Sequence, residues 1–162
     1  MPNAIVAGRA AEGCLLSPQA STNDVELATQ ILPRKVFPHW RRFYVGLAEY
    51  RLGRFSSAAD FMEQIRNDLD SINGVDRSPC EADACFVLAM SRHRMKEPAK
   101  ANGAFSRASE IIDSVMPKFN EPDLGRYWWN VLTTDIFAKE ARELIEKSEG
   151  ASAVSGGPVG ER

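Results

Sequence analysis

The sequence predicts an all-α protein built from antiparallel helical hairpins, and three observations support that fold class. Apolar residues recur at i, i+3 and i+4 through most of the chain, as on one face of a helix. No stretch shows the strict alternation of a half-buried strand. The segment 39–72 has the pattern of two amphipathic helices, and a related pattern returns at 82–115. Because one hairpin cannot bury its outer apolar faces alone, we expect several to pack together.

The first of these hairpins has the more regular pattern. The apolar face of its first helix consists of Trp40, Phe43, Leu47 and Tyr50. The apolar face of its second helix consists of Phe55, Ala58, Met62, Ile65 and Leu69. Gly53 lies between the helices and can adopt positive φ at little steric cost, which suits a turn. Small residues such as Gly46 and Ala58 allow the two helix backbones to approach closely.

Both hairpins carry residues that fit a known repeat pattern. In 39–72 they are Val45-Gly46, Gly53, Phe55, Ala58 and Met62, and in 82–115 they are Leu88-Ala89, Lys96, Pro98, Ala101, Phe105 and Ala108. The chain therefore resembles the tetratricopeptide repeat family, whose period is about 34 residues. A polar turn at Lys96 replaces the usual glycine, and a degenerate repeat precedes at 5–38. The resemblance implies a right-handed solenoid with a concave groove for a peptide or protein.

Five segments carry a closer resemblance. They are RAAEGCLLSP at 9–18, WRRFYVGLA at 40–48, EYRLGRF at 49–55, FVLAMSRHRM at 86–95 and WWNVLTTDIFAKEARELI at 128–145. These segments resemble the helical-repeat regions that follow the catalytic domain in serine/threonine kinases of planctomycete-like bacteria. Kinase motifs themselves are absent, since Asp60-Phe61 is followed by methionine and no glycine-rich phosphate loop occurs. The resemblance implies a repeat scaffold, or a detached or truncated regulatory part of such a kinase without activity of its own.

Helix start and stop signals place the N-terminal elements. We expect residues 1–3 to be frayed and 4–16 to form a short helix. Ser21 and Asp24 have the spacing of a capping box, which predicts that a second helix begins there. Pro33 ends that helix, because proline cannot continue the hydrogen-bond ladder.

The second complete hairpin begins with the strongest start signal in the chain, Ser78-Pro79-Cys80-Glu81. Ser78 is predicted to cap this helix, and Pro79 suits its first position. The helix is expected to reach about Met95, and Glu97-Pro98 opens the next one.

A long closing helix is predicted over 126–149. Trp128 and Trp129 are assigned to its buried side, although two tryptophans can also form a ligand-stacking surface. The helical-repeat domain is expected to span 4–149. The tail 150–162 is rich in small residues and is expected to be disordered.

Charge and composition narrow the class of partner. The net charge is −2 and the pI about 5.8, which argues against a nucleic-acid binder, since such proteins show a basic patch. No apolar run approaches the roughly 18 residues needed to span a membrane. Three cysteines, an odd number, fit a reduced cytoplasmic protein better than a disulfide framework.

The sequence predicts no catalytic residues, no metal and no cofactor. Cys80 and Cys85 share a helix but point about 140° apart, so they do not converge with His93 on a metal, which needs three or four ligands. Cys80 lies near the start of that helix, which would lower the pKa of its thiol somewhat.

The predicted function is binding of a protein or peptide in the concave groove. The predicted groove residues are Trp40, Phe43, Leu47, Tyr50, Arg51, Phe86, Met90, His93 and Arg94. Their chemistry predicts an extended or helical partner with apolar anchors and at least one acidic side chain, held by burial first and by arginine second. Two alternatives stay open: the apolar members pack against adjoining helices, or another copy of the chain fills the groove as a homo-oligomer.

Overall fold

The computed structural model describes residues 4–32, 38–72, 74–115 and 128–154, and these ranges form α-helices joined by short turns. The helices are α1 (Ala4–Leu16), α2 (Thr22–Ile31), α3 (Pro38–Arg51), α4 (Phe55–Asn67), α5 (Arg77–Arg94), α6 (Pro98–Val115) and α7 (Trp128–Val154). Two single turns of 3-10 helix, at Leu69–Ser71 and Gly74–Asp76, lead from α4 to α5. The predicted all-α fold class is confirmed for the described residues.

The helix starts agree with the sequence at α2 and differ at α5. The Ser21 hydroxyl accepts a hydrogen bond from the Asp24 backbone N–H at 3.2 Å, and the Asp24 carboxylate accepts one from the Ser21 N–H at 3.3 Å, so the capping box is confirmed. The prediction that Ser78 caps α5 is wrong. The helix begins at Arg77, two residues before the predicted first position at Pro79, and its N-cap residue, Asp76, makes no side-chain cap hydrogen bond.

The two hairpin turns have the same backbone geometry. Gly53 and Lys96 both adopt the left-handed conformation, with φ of 76° and 61°. In each turn the next residue donates to a carbonyl five positions back, from Arg54 to Glu49 and from Glu97 to Arg92, both at 2.9 Å. This bond satisfies a carbonyl that the helix end leaves open. The repeat frame therefore places both turns correctly, although only one of them uses glycine.

Close packing within the hairpins depends on small residues. A Cβ added to Gly46 would lie 2.6 Å from Met62 Cε and 2.7 Å from Phe61 Cβ. Ala58 and Ala101, which the repeat pattern assigns to equivalent positions of the two hairpins, are both 0% exposed. A larger side chain at any of these positions would force α3 and α4, or α5 and α6, apart.

Helix α5 lies at the centre of the molecule. It packs against α4, α6 and α7, and more lightly against α3, so nearly all of its residues from Pro79 to Ser91 are buried. The N-terminal helices α1 and α2 pack on each other and on α3. Helix α7 packs chiefly against α5 and makes only marginal contact with α6. It therefore lies across the side of α5 instead of forming a further hairpin with α6.

The structure describes only part of the two ends of the predicted domain, which was expected to span 4–149. Helix α7 continues to Val154, beyond the expected end at 149 and into the predicted tail. Residues 1–3, 126–127 and 155–162 lie outside the described ranges, so the predictions made for them are untested. In the part of the chain that the structure describes, no helix is long and apolar enough to cross a membrane.

Candidate functional site

Most of the predicted groove residues are buried. Phe43, Leu47, Phe86 and Met90 are at most 1% exposed, and Tyr50 is 6% exposed. The Arg51 side chain is 4% exposed. Trp40 and His93 are half-buried, and Arg94 is exposed. The apolar residues of the predicted groove therefore pack against adjoining helices in this structure, which was one of the two alternatives, and they do not line an open groove.

Helix α7 packs against α5 and contacts two of the predicted groove residues of α3, Phe43 and Arg51. The rings of Phe43 in α3 and Phe137 in α7 meet edge to face, with centroids 5.6 Å apart. Phe43, Leu47 and Arg51 are spaced four apart and so share one face of α3. Phe86 faces elsewhere, because its ring packs against Phe105 of α6 at 5.5 Å.

We name six of the predicted groove residues the α3–α5 surface: Phe43, Leu47, Tyr50 and Arg51 from α3, and Met90 and Arg94 from α5. Phe43 and Arg51 are the members whose side chains contact α7. Met90 and Arg94 are four positions apart and share one face of α5. The definition leaves out Trp40, Phe86 and His93. Trp40 packs on Phe43 from within α3, and Phe86 packs on Phe105 of α6.

Arg51 is the most heavily bonded side chain of the α3–α5 surface. Its guanidinium donates hydrogen bonds to both carboxylate oxygens of Glu140 in α7. Nη1 donates to Oε1, and Nη2 donates to Oε2 at 2.8 Å. Its Nε donates to the Leu15 carbonyl at 3.0 Å, and Nη2 also donates to the Leu16 carbonyl at 3.3 Å. These carbonyls end α1 and have no partner within their own helix. Arg51 thus ties α1, α3 and α7 together at one point.

Arg94 reaches the same region from α5. The Arg94 guanidinium lies near the Tyr50 hydroxyl. Burial raises the pKa of Tyr50 and the negative charge of Glu140 raises it further, whereas Arg94 lowers the pKa of that group. The two arginines, which the sequence predicted at equivalent positions of the two hairpins, therefore both lie near Tyr50, one buried and one exposed.

Sequence reasoning missed a buried polar cluster at the other end of α7. Glu12 of α1, which is 6% exposed, accepts hydrogen bonds from the Tyr44 hydroxyl and from Trp129 Nε1, the latter at 2.7 Å. Arg9 donates to the other Glu12 oxygen at 2.8 Å. The Arg9 guanidinium also stacks on the Trp129 ring, 4.5 Å from its centroid. The second tryptophan, Trp128, is 52% exposed.

Asp83 is the second buried acid of this cluster. It lies on α5 at 1% exposure and accepts a hydrogen bond of 2.5 Å from the Thr134 hydroxyl of α7. Burial raises the pKa of Asp83 to about 8, although the bond from Thr134 acts in the opposite direction and nearby Glu12 adds to the rise. The signal available in the sequence was a single acid within the otherwise apolar run ADACFVLAM.

The cysteines of α5 are structural. Cys80 and Cys85 are fully buried thiols without a disulfide. Burial raises the pKa of Cys80, so the expected lowering by the helix start is wrong, and burial also raises the pKa of Cys85 to about 11. Among the described residues, no three side chains of His, Cys, Asp or Glu come together as metal ligands.

A shallow cleft of about 280 Å³ lies at a separate place, between α2 and the α3–α4 turn. It is lined by Glu26, Thr29, Gln30, Glu49, Leu52 and Arg54. Arg54 pairs with Glu49 at 2.8 Å, so the cleft offers mainly carboxylate and amide groups. Leu27 and Ile31 of α2 are 56% and 38% exposed.

Comparison with protein-family models, curated proteins and solved structures finds no match to this chain. The likeness to tetratricopeptide repeats and to kinase-associated repeats therefore stays a prediction from the sequence.

Proposed function

We propose that this chain is a non-catalytic protein-interaction module, in which hairpins of tetratricopeptide type form a solenoid and present the α3–α5 surface to a segment of a partner protein. One observation carries the proposal: an amphipathic helix, α7, lies on that surface with its aromatic side chain buried and its carboxylate held by arginine. The surface thus has the chemistry needed to hold a helix. A partner segment binds by taking the place of α7.

The composition of the surface suits this role. Phe43, Leu47 and Met90 supply apolar area, and methionine adapts to varied apolar side chains. Arg51 and Arg94 supply the charge, and arginine binds a carboxylate through two parallel hydrogen bonds. The preferred partner is therefore apolar on one face and carries at least one acid. Nucleic acid and membrane are not proposed as partners.

The ionisable groups of the interior support a non-catalytic role. The Asp83 carboxyl is buried and hydrogen-bonded to Thr134, and the buried Cys80 thiol has a raised pKa. A nucleophile needs a lowered pKa or an adjacent base, and a general base needs access to its substrate. Asp83 instead joins α5 to α7 through Thr134, and Cys80 lies in the hydrophobic core. Three free thiols also suit the reducing cytoplasm, where we place the protein.

Selection of peptides on the full chain tests the proposal. Helical peptides from a displayed library are selected on the wild-type protein and then measured against two charge reversals. Arg94→Glu changes the exposed arginine of the α3–α5 surface, and Lys100→Glu changes an exposed lysine of α6 as a matched control. We expect the selected peptides to lose at least about tenfold in affinity for Arg94→Glu, in a salt-dependent way, and to bind Lys100→Glu normally. Equal binding to both variants contradicts the proposal, and so does a selection that yields no binder.

A further inference from the structure

The contacts of α7 specify the kind of segment that fits the α3–α5 surface. Three of its side chains reach the rest of the molecule on one face: Thr134 bonds Asp83, Phe137 packs on Phe43, and Glu140 pairs with Arg51. Thr134, Phe137 and Glu140 are each three positions apart, which places them along one side of a helix.

Small residues lie between these anchors. Ala138 and Ala141 are 8% and 0% exposed, so the helix approaches α5 closely where they lie. The outward positions Lys139, Arg142 and Glu143 are exposed. From 137 to 141 the buried pattern of α7 is therefore Phe-Ala-x-Glu-Ala, and Val131, Thr133 and Thr134 are buried earlier in the helix.

Arg51 is held in position by groups other than Glu140. The Leu15 and Leu16 carbonyls accept hydrogen bonds from Nε and Nη2, and neither carbonyl belongs to α7. The guanidinium is therefore fixed before any carboxylate arrives, which reduces the entropy lost on binding. Departure of α7 would leave a buried, oriented cation that needs an anion, since an unpaired buried charge is costly.

We infer that α7 is an exchangeable occupant, and that the partner is an amphipathic helix with an aromatic residue followed three positions later by an acid and small residues next to each. This inference rests on the proposed function and adds the sequence pattern of the partner. The aromatic side chain takes the place of Phe137 against Phe43, and the acid takes the place of Glu140 on Arg51. A second copy of the chain, exchanging its own α7, is the rival occupant.

Binding of a free α7 peptide to the full chain tests this inference. The probe is a labelled peptide of residues 128–147, added to the wild type and to Glu140→Gln, which weakens the internal helix but keeps Arg51. Because an attached segment competes at high effective concentration, wild type should bind the peptide weakly. Glu140→Gln should bind it at least about tenfold more tightly. Loss of the charge-assisted pair with Arg51 weakens the attached α7, so the free peptide displaces it more easily. Phe137→Ala in the full chain should also tighten binding of the peptide, because it removes the contact of the attached α7 with Phe43.

Changes in the peptide test the pattern without altering the fold of the protein. Against Glu140→Gln protein, peptides with Phe137→Ala or Glu140→Gln should bind at least about tenfold more weakly. A Glu143→Gln peptide should bind as the parent does, because Glu143 faces solvent. Equal binding of all peptides, or no gain on weakening the internal helix, overturns the inference. Dimer formation by Glu140→Gln without peptide binding assigns the surface to a second copy and also overturns it.

The two proposals fail differently. If library peptides bind in an Arg94-dependent way but lack the aromatic-x-x-acid pattern, the proposed function stands and this inference is wrong. If no peptide of either kind binds, both are wrong.

Discussion

Arg51 and Glu140, 89 positions apart in the chain, meet in a two-pronged ion pair that fixes α7 against α3. The pair is largely buried, with side-chain exposures of 4% and 16%. Glu140→Ala removes the carboxylate and leaves the arginine charge without its partner. We expect a loss of about 3 kcal/mol in the free energy of unfolding, measured by urea denaturation.

Glu143→Ala is the matched control for that change. Glu143 lies on the same helix, and its contact with Lys147 is exposed on both sides. Exposed pairs contribute little to stability, so the unfolding midpoint should not change. A similar loss in both variants would contradict the buried role of Glu140.

Asp83 should make stability depend on pH. Its folded-state pKa of about 8 is above the ordinary value of 3.8, so the folded protein holds this proton more tightly than the unfolded chain does. The stabilisation is complete below about pH 4 and is lost as pH rises to about 8. Glu12, Tyr44 and Cys80 are the titratable groups that face Asp83.

Asp83→Asn removes this dependence and keeps an acceptor for Thr134. The stability of the variant relative to wild type should therefore increase with pH, by up to about 1.4 kcal/mol per pH unit across that range. Denaturation curves at several pH values measure it. Asp113→Asn, at an exposed position of α6, should show no such trend. A constant difference between Asp83→Asn and wild type would show that Asp83 is ionised in the folded protein.

Lys96 adopts a left-handed backbone that glycine adopts more easily. Its φ is 61°, close to the 76° of Gly53 in the equivalent turn. A non-glycine residue in this region costs about 1–2 kcal/mol, so Lys96→Gly should raise the free energy of unfolding by about 1 kcal/mol. Lys100→Gly, within the first turn of α6, should lower it by about 1 kcal/mol. Destabilisation by Lys96→Gly would contradict the turn geometry.

The absence of a side chain at Gly46 allows α3 and α4 to pack closely. A Cβ there would lie 2.6 Å from Met62 Cε, so Gly46→Ala should cost about 1–3 kcal/mol by overpacking. Gly103 of α6 has nothing within 4 Å of the added Cβ. Gly103→Ala should therefore stabilise by about 1 kcal/mol. Thermal unfolding of the two variants should show shifts of opposite sign, and shifts of the same sign would mean that the hairpin packing is wrong.

Local signals were enough to predict the individual helices. The capping box of Ser21 and Asp24, the turn at Gly53 and the apolar spacing of 39–72 each act over a few residues, so the sequence shows them directly. The start of α5 was misplaced because a 3-10 turn at Gly74–Asp76 leads into the helix. Ser78 then lies within the helix and cannot serve as its cap.

The candidate surface was predicted only in part, because its state depends on contacts distant in sequence. Spacing showed that Phe43 and Arg51 share a face, but nothing in their neighbourhood showed that Phe137 and Glu140 cover them. Buried acids are equally hard to foresee. Asp83 lies within the apolar α5, where Thr134 donates a hydrogen bond to it and burial raises its pKa. Neither condition can be read from its own segment.

Hydrogen exchange of the full chain, with and without a saturating peptide selected on the α3–α5 surface, tests the central claim most directly. If a partner helix takes the place of α7, amides in 128–147 should lose protection on binding, while those of α3 and α5 keep theirs. The account predicts this loss for wild type and a larger one for Glu140→Gln. Peptide binding that leaves the protection of α7 unchanged would contradict it, because the partner would then bind at a different surface.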